Sequence, residues 1–283
     1  KRGKMPSIKS IVESDYLTKR IVSHMATGQW IGGRTGVCQR LERTNYIRTV
    51  AHLRNVISPL SSNQEHFEAR ALHGTHWGRL CNEETPEGVN IGLRKYLAVF
   101  ALISETTREK DRALMEDLAK KEKAQEGWAI FIDGRLAGST DNPEAFAEKL
   151  RSKRRNGSIS AQIGIALDRQ FDEVHVNTDS GRLMRPLIIA GNGKSRLTDQ
   201  HIEKMEKGEI TWNDMIKEGC IEYLDAEEEN NALVALYTDE VTKEHTHLEI
   251  NPGVILGLSA SLVPFANHNR GDRVNFGAKM SGQ

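Results

Sequence analysis

The stretch THWGRLCNEETPEGVNIGL, residues 75–93, decides how the rest of the chain is read. It joins an aromatic–glycine–arginine turn to an acidic pair, a Thr85-Pro86-Glu87-Gly88 turn and an Asn-Ile-Gly-Leu exit. Pro86 fixes φ and has no N–H to donate, while Gly88 and Gly92 allow conformations or approaches closed to other residues. Neither a single helix nor a central strand accommodates that punctuation. The segment therefore predicts a shaped loop. In it Arg79, Glu83, Glu84, Thr85, Glu87 and Asn90 are presented from an apolar base of Trp77, Leu80, Ile91 and Leu93. Loops held this way often carry function.

Upstream, the spacing of Ile8, Ile11, Val12, Leu17, Ile21, Val22 and Met25 predicts a helix over Ser7–Ala26, stopped by Gly28. Gly32 and Gly33 make a joint. Val37–Val56 again has helical spacing and places Arg40, Arg43, Arg48 and Arg54 within fifteen residues. Such a cluster is either a solvated face or a phosphate surface, since the planar guanidinium fork donates paired hydrogen bonds and stays charged. SPLSSNQEH, 58–66, reads as a loop. Lys95–Ser104 reads as a buried strand with Leu97, Val99, Phe100 and Leu102 inside.

Downstream, a separate module is expected from Thr106. Arg108–Gln125 is a charged helix with a thin stripe of Leu114, Met115 and Leu118. GWAIFIDGRLAGS is a hairpin around Asp133-Gly134. Asn142-Pro143 opens a helix that ends in the basic run KLRSKRRNG, 149–157, a position the helix dipole favours for cations. Three strands follow, in SISAQIGIAL, EVHVNT and RLMRPLII. Lys204–Gly219 is an amphipathic helix, DAEEENN (225–231) a solvated or subunit-contacting acidic face, and ALVALYTDE a strand. His245 and His247 could share a strand face, yet no third ligand is indicated. Pro252–Leu262 is a helix with Val254, Ile255, Leu258 and Leu262 buried.

The fold class is accordingly mixed α+β, in several small modules. Lys and Arg number 39, as do Asp and Glu, so net charge names no partner. The distribution is uneven: residues 1–80 carry thirteen basic against five acidic side chains, and residues 221–250 one against nine. That asymmetry is expected of a basic face for a polyanion with an acidic face elsewhere. Three dispersed cysteines, Cys38, Cys81 and Cys220, form no CxxC pair and point to a reduced, intracellular protein. No apolar run reaches the ~18 residues of a membrane span. The opening KRGKMPSIKS lacks an initiator Met, as expected of a piece of a longer chain. There is no tight aspartate triad such as DFDGD and no P-loop, and GGRTG and GNGKSR fit no nucleotide fingerprint. No catalytic residue, metal site or bound cofactor is therefore assigned to this chain.

Three blocks, in order, resemble the second-largest subunit of multisubunit RNA polymerases, with an archaeal cast. They are GGRTGVCQRLERTNYIRTVAHLRNVISPL (32–60), the TPEG segment (75–93), and HTHLEINPGVILGLSASLVPFANHNRGDRVNFGAKMSGQ (245–283). The resemblance implies a transcription component of a cytoplasmic DNA-directed RNA polymerase, a nucleotidyltransferase. Its partners would be the largest subunit and the other subunits, template and non-template DNA, nascent RNA and NTP. The catalytic Mg²⁺ would be held by the largest subunit. Residues 1–33 would close a protrusion, 34–105 form a fork, 106–230 external regions, and 231–283 the start of a hybrid-binding region. Arg273 would approach the nucleotide phosphates. Glu87 would position mobile parts of the active centre, and Phe276 would pack near the mobile trigger element. Lys279 and Gln283 would lie beside the RNA–DNA hybrid, and Arg40, Arg54 and Arg70 would add a nucleic-acid-facing surface. Arg270-Gly271-Asp272 departs from the family pattern. An autonomous nucleic-acid-binding module and a purely structural scaffold are the alternative functions.

Overall fold

The structure, a computed structural model, describes residues 13–122 and 127–283 together with Ile8. The start of the first expected helix and the end of Arg108–Gln125 lie outside these residues. The architecture is α+β, with mainly antiparallel strands distributed over separate cores.

The first core belongs to residues 106–178. Its four-stranded sheet has the order Arg135–Thr140, Trp128–Ile132, Glu173–Asn177, Gly164–Asp168, with the middle pair parallel. Asp133 and Gly134 both have positive φ (47° and 72°), which a two-residue hairpin turn requires. Helices Glu109–Lys121 and Pro143–Arg155 bury Met115, Leu118, Phe146, Ala147 and Leu150 against Ile130, Ile165, Val174 and Val176. The second helix starts where Asn142 Oδ1 accepts from the Ala145 N–H and Pro143 occupies its first turn.

The long strand Leu183–Gly191 organises the second core. It pairs antiparallel with Leu102–Ile103, Ile221–Leu224, His247–Leu248 and Lys194–Ser195. Ile188, Met215, Cys220, Ile221, Ala235 and Leu248 form its apolar centre. The third core joins distant parts of the chain: Ala51, Cys81 and Tyr96 pack with Ala260, Val274 and Ala278. The terminal helix Gly271–Met280 thus rests on the 75–96 segment, with Gly271 against the Glu83 carboxylate.

Several local expectations are corrected. Among the described residues the N-terminal helix covers Tyr16–Thr27 and buries none of its residues, so Leu17, Ile21, Val22 and Met25 are exposed. Gly32 and Gly33 turn between the short strands Gln29–Trp30 and Arg34–Thr35, and the helix of the arginine block is only Tyr46–Leu53. Lys95–Ser104 is not one strand: it breaks after Tyr96, leaving Phe100 exposed and stacked on Trp212 at 5.9 Å. Lys204–Gly219 divides into Asp199–Glu206 and Trp212–Lys217, because Gly208 adopts positive φ and Thr211 caps a new helix. ALVALYTDE supplies only the two-residue strand Val234–Ala235. Pro252–Leu262 divides at Leu256-Gly257 into a 3-10 turn and the short helix Leu258–Ser261, with Leu262 exposed.

Candidate functional site

The TPEG loop is built around Thr85. Its hydroxyl donates to the Arg94 carbonyl at 3.0 Å and accepts from the Gly92 N–H at 2.8 Å, closing the loop on itself. The Thr85 N–H donates to Asn275 Oδ1 at 3.2 Å, fastening the loop to the terminal helix. Gly92 has φ 73°, and a Cβ there would come within 2.6 Å of the Arg70 carbonyl, so glycine is required.

The division of polar and apolar groups differs from expectation. Arg79 and Glu84 are buried, while Trp77 and Ile91 are half-exposed; Leu80 and Leu93 do form the base. Arg79 is anchored instead of presented: it donates to the carbonyls of Leu183, Leu224 and Thr75 and pairs with Glu229 at 2.6 Å. Glu84 has one oxygen buried without a partner among the described residues, and burial pushes its carboxyl up.

Between this loop and the chain end lies a cleft of about 490 Å³, lined by Arg48, Glu84, Glu87, Arg94, Lys279 and Gln283 among others. Lys279 Nζ meets Glu87 Oε1 at 3.1 Å across it. Arg48 is held by Glu42, whose hydrogen bond raises the guanidinium further and whose own carboxyl is lowered by that contact. The half-buried Arg94 guanidinium makes no side-chain hydrogen bond or ion pair among the described residues, though its charge helps to lower Glu42. Thus Glu87, Lys279 and Gln283 come together. Arg48, from the arginine cluster, and Asn275 join them, as does Arg94, which had not been singled out.

The other candidates lie elsewhere. Arg273 and Phe276 are exposed on the terminal helix. Asp272 gives its carboxylate to Arg270 (2.6 and 3.1 Å) and accepts the Arg273 N–H at 3.0 Å, while the Arg273 guanidinium makes no side-chain hydrogen bond or ion pair among the described residues. Arg40 is exposed in the loop before Tyr46–Leu53 and is likewise unpaired. Arg54 donates to the carbonyls of Ala98 and Val99, and burial lowers its basicity. Arg70 donates to the carbonyls of Val89, Ile91, Ser62 and Gln64 at 2.8–3.4 Å and so ties the 58–66 loop to the TPEG segment. Both have a structural duty within the chain.

A second charged region holds the sheets together. DAEEENN is not a solvated face: Asp225 and Glu228 are buried, and the cluster meets arginines from three other segments. Arg154 pairs with Glu228 at 2.6 Å and Glu222 at 2.9 Å, Arg155 with Glu222 at 2.8 Å, and Arg182 with Asp225 at 2.6 Å. Arg185 bridges Glu229 and Glu249. Desolvation would raise Glu222, yet Arg154, His247 and Arg155 overcome it and hold the carboxyl well below the usual range. Desolvation opposes the charge on Arg154, but Glu228 and Glu222 hold it above its ordinary value. His247 bonds Glu222 at 2.7 Å, while His245 contacts Thr242, so the two imidazoles do not share a site.

Comparison with known families gives three consecutive matches. Residues 39–103 match RNA polymerase Rpb2, domain 3, residues 130–191 match domain 4, and residues 212–252 match domain 5. The whole chain is 44% identical over 303 residues to DNA-directed RNA polymerase subunit Rpo2 of Saccharolobus shibatae, covering 27% of that protein. It is 42% identical over 301 residues to the Rpo2 of Sulfolobus acidocaldarius, again 27% of the relative. A eukaryotic relative, DNA-directed RNA polymerase II subunit RPB2 of Encephalitozoon cuniculi, is 32% identical over 297 residues, with 96% of this chain and 26% of that protein covered. The chain spans about a quarter of the length of the curated relatives it matches.

Proposed function

The chain belongs to the family of the second-largest subunit of DNA-directed RNA polymerase, and from that premise we propose that it lines the active-centre cleft of such an enzyme during transcription. It acts with the largest subunit and the other subunits, in contact with template and non-template DNA, nascent RNA and incoming NTP. The polymerase holds its catalytic Mg²⁺ on the largest subunit, so this chain supplies cations and hydrogen-bond donors to the active centre and no ligand to that ion. A reduced cytoplasmic setting fits the three free thiols, Cys38, Cys81 and Cys220.

The observation that carries this reading is the state of Arg273. Its neighbour Asp272 is engaged by Arg270, and the Arg273 guanidinium faces solvent on the helix that borders the TPEG cleft. Negative charge grows on the leaving pyrophosphate as a nucleotide is added, and a guanidinium stabilises it bidentately without moving a proton. Lys279 and Gln283 contact the RNA–DNA hybrid, and Arg40 a phosphate of the nucleic acid. Glu87 acts on mobile active-centre parts through its pair with Lys279, and Phe276 offers an exposed ring against them. Arg54 and Arg70 serve the same surface by fixing the backbone that carries it.

The test is single-nucleotide addition by the assembled polymerase on a preformed scaffold. Loss of one charge-assisted pair costs about 1.5–3 kcal/mol. Arg273→Ala therefore slows addition roughly tenfold to hundredfold if the pair forms only in the transition state, with assembly and template binding intact. An unchanged rate at both saturating and limiting NTP overturns the assignment.

A further inference from the structure

One cluster lies outside both the cleft and the ion-paired region. His201, Glu218 and Cys220 come from three places: the first turn of Asp199–Glu206, the residue closing Trp212–Lys217, and the residue entering the strand Ile221–Leu224. Their ligand atoms, one nitrogen, one oxygen and one sulfur, lie within 4.8 Å of one another. We propose that these three side chains hold a divalent ion of the borderline-soft class, zinc foremost, with water at the fourth vertex.

The distances support a tetrahedral site. Zinc–ligand bonds of about 2.0–2.3 Å set ligand–ligand edges of roughly 3.3–3.6 Å. His201 Nε2 stands 3.6 Å from Glu218 Oε2 and 3.9 Å from Cys220 Sγ, so both edges at the imidazole close with small movements. The third edge closes by rotation of Glu218, whose side chain is 49% exposed and which also gives the ion and its water an entry path. Cys220 is buried, so its sulfur is the fixed vertex. Thiolate and imidazole together favour zinc over Mg²⁺ and Ca²⁺, which take oxygen ligands.

The surroundings of His201 suit a ligand. Its Nδ1 lies 2.7 Å from Thr198 Oγ1, an oxygen able to accept from the Nδ1–H of a metal-bound imidazole. Without the ion, Nδ1 accepts from the Thr198 N–H at 3.2 Å, which places the ring proton on Nε2; loading moves that proton to Nδ1, where the hydroxyl oxygen accepts it. Burial pushes the Cys220 thiol up, so binding breaks its S–H bond, forms a sulfur–metal bond and releases the proton to solvent. The bound ion would tie the two helices to the strand they precede.

Cobalt(II) added to the reduced 283-residue chain reads the site directly. The expected result is thiolate-to-cobalt charge-transfer absorption that saturates at one equivalent and is displaced by zinc. Cys220→Ser abolishes the band and Cys38→Ser leaves it unchanged. His201→Gln, a change at a partly exposed position, weakens loading by more than about tenfold, since losing even an outer partner of a ligand costs that much. If Cys220→Ser fails to fold, the His201→Gln and Glu218→Gln variants decide. Absence of the band in the unaltered chain, or a band untouched by His201→Gln, overturns the proposal.

Discussion

Arg154 and Arg273 carry the same guanidinium in opposite surroundings. Arg154 is almost inaccessible and bonded to Glu222, Glu228 and the Ile163 carbonyl; Arg273 is exposed, with its nearest carboxylate taken by Arg270. The contrast extends to their regions. Around Arg154, carboxylates from the strand Ile221–Leu224, a short helix and Glu249 offset the desolvation of Arg154, Arg155 and Arg185. The Arg273 and Arg40 guanidiniums face solvent without a hydrogen bond or ion pair among the described residues. Burial, and not the number of charges, separates arginines that build the chain from arginines available to a polyanion. A buried ion pair is weak grounds for net stability, because desolvation opposes the Coulomb gain, yet removing one partner leaves an uncompensated charge.

The largest effect that could break this contrast is at Arg154. Arg154→Ala should destabilise the chain by about 3–5 kcal/mol, read as a fall in the urea midpoint at constant slope. A loss within that of an exposed pair, about 1 kcal/mol or less, would mean that the buried pairs are not holding the sheets together.

Acid sharpens the comparison. Glu222 is held below the ordinary carboxylate range when folded, so its contribution is fully present above the unfolded value of about 4.3 and lost as pH falls through the folded value. Unfolding free energy measured from pH 7 to pH 3 should therefore fall below about pH 4.3, and Glu222→Gln should flatten that fall while lowering the neutral plateau. A variant with the same acid slope as the parent would assign the loss to other groups.

The smallest expected stability change is at Glu87. Its pair with Lys279 is largely exposed, worth about 1 kcal/mol or less after screening. Glu87→Gln should leave the unfolding midpoint nearly unmoved while altering elongation rate or fidelity of the assembled enzyme by a moderate factor. Complete loss of Mg²⁺-dependent activity, restored by excess metal, would instead make Glu87 a metal ligand.

Much of this organisation was legible in the residues. The Asp133-Gly134 turn, the Asn142-Pro143 helix start and the glycine-punctuated 75–93 loop follow from local backbone chemistry, and local chemistry is what a sequence displays. What stayed hidden depends on partners far away in the chain. DAEEENN looks solvated because its acidic residues adjoin one another; only the fold brings Arg151, Arg154, Arg182 and Arg185 to them. Arg79 and Glu84 look presented for the same reason, although Arg79 ends at carbonyls more than a hundred positions away. In the site, Glu87, Lys279 and Gln283 could be named from the resemblance. Arg94 and Asn275 could not be placed until the terminal helix was seen against the loop.

The salt dependence of nucleic-acid retention by the assembled polymerase tests the division most directly. Each phosphate contact contributes roughly 0.7–0.9 to the log–log slope. Arg40→Ala should flatten the slope by about that amount, whereas Arg155→Ala, which removes a guanidinium already paired with Glu222 and Glu148, should leave it unchanged. An unchanged slope for Arg40→Ala together with a flattened one for Arg155→Ala would contradict the account.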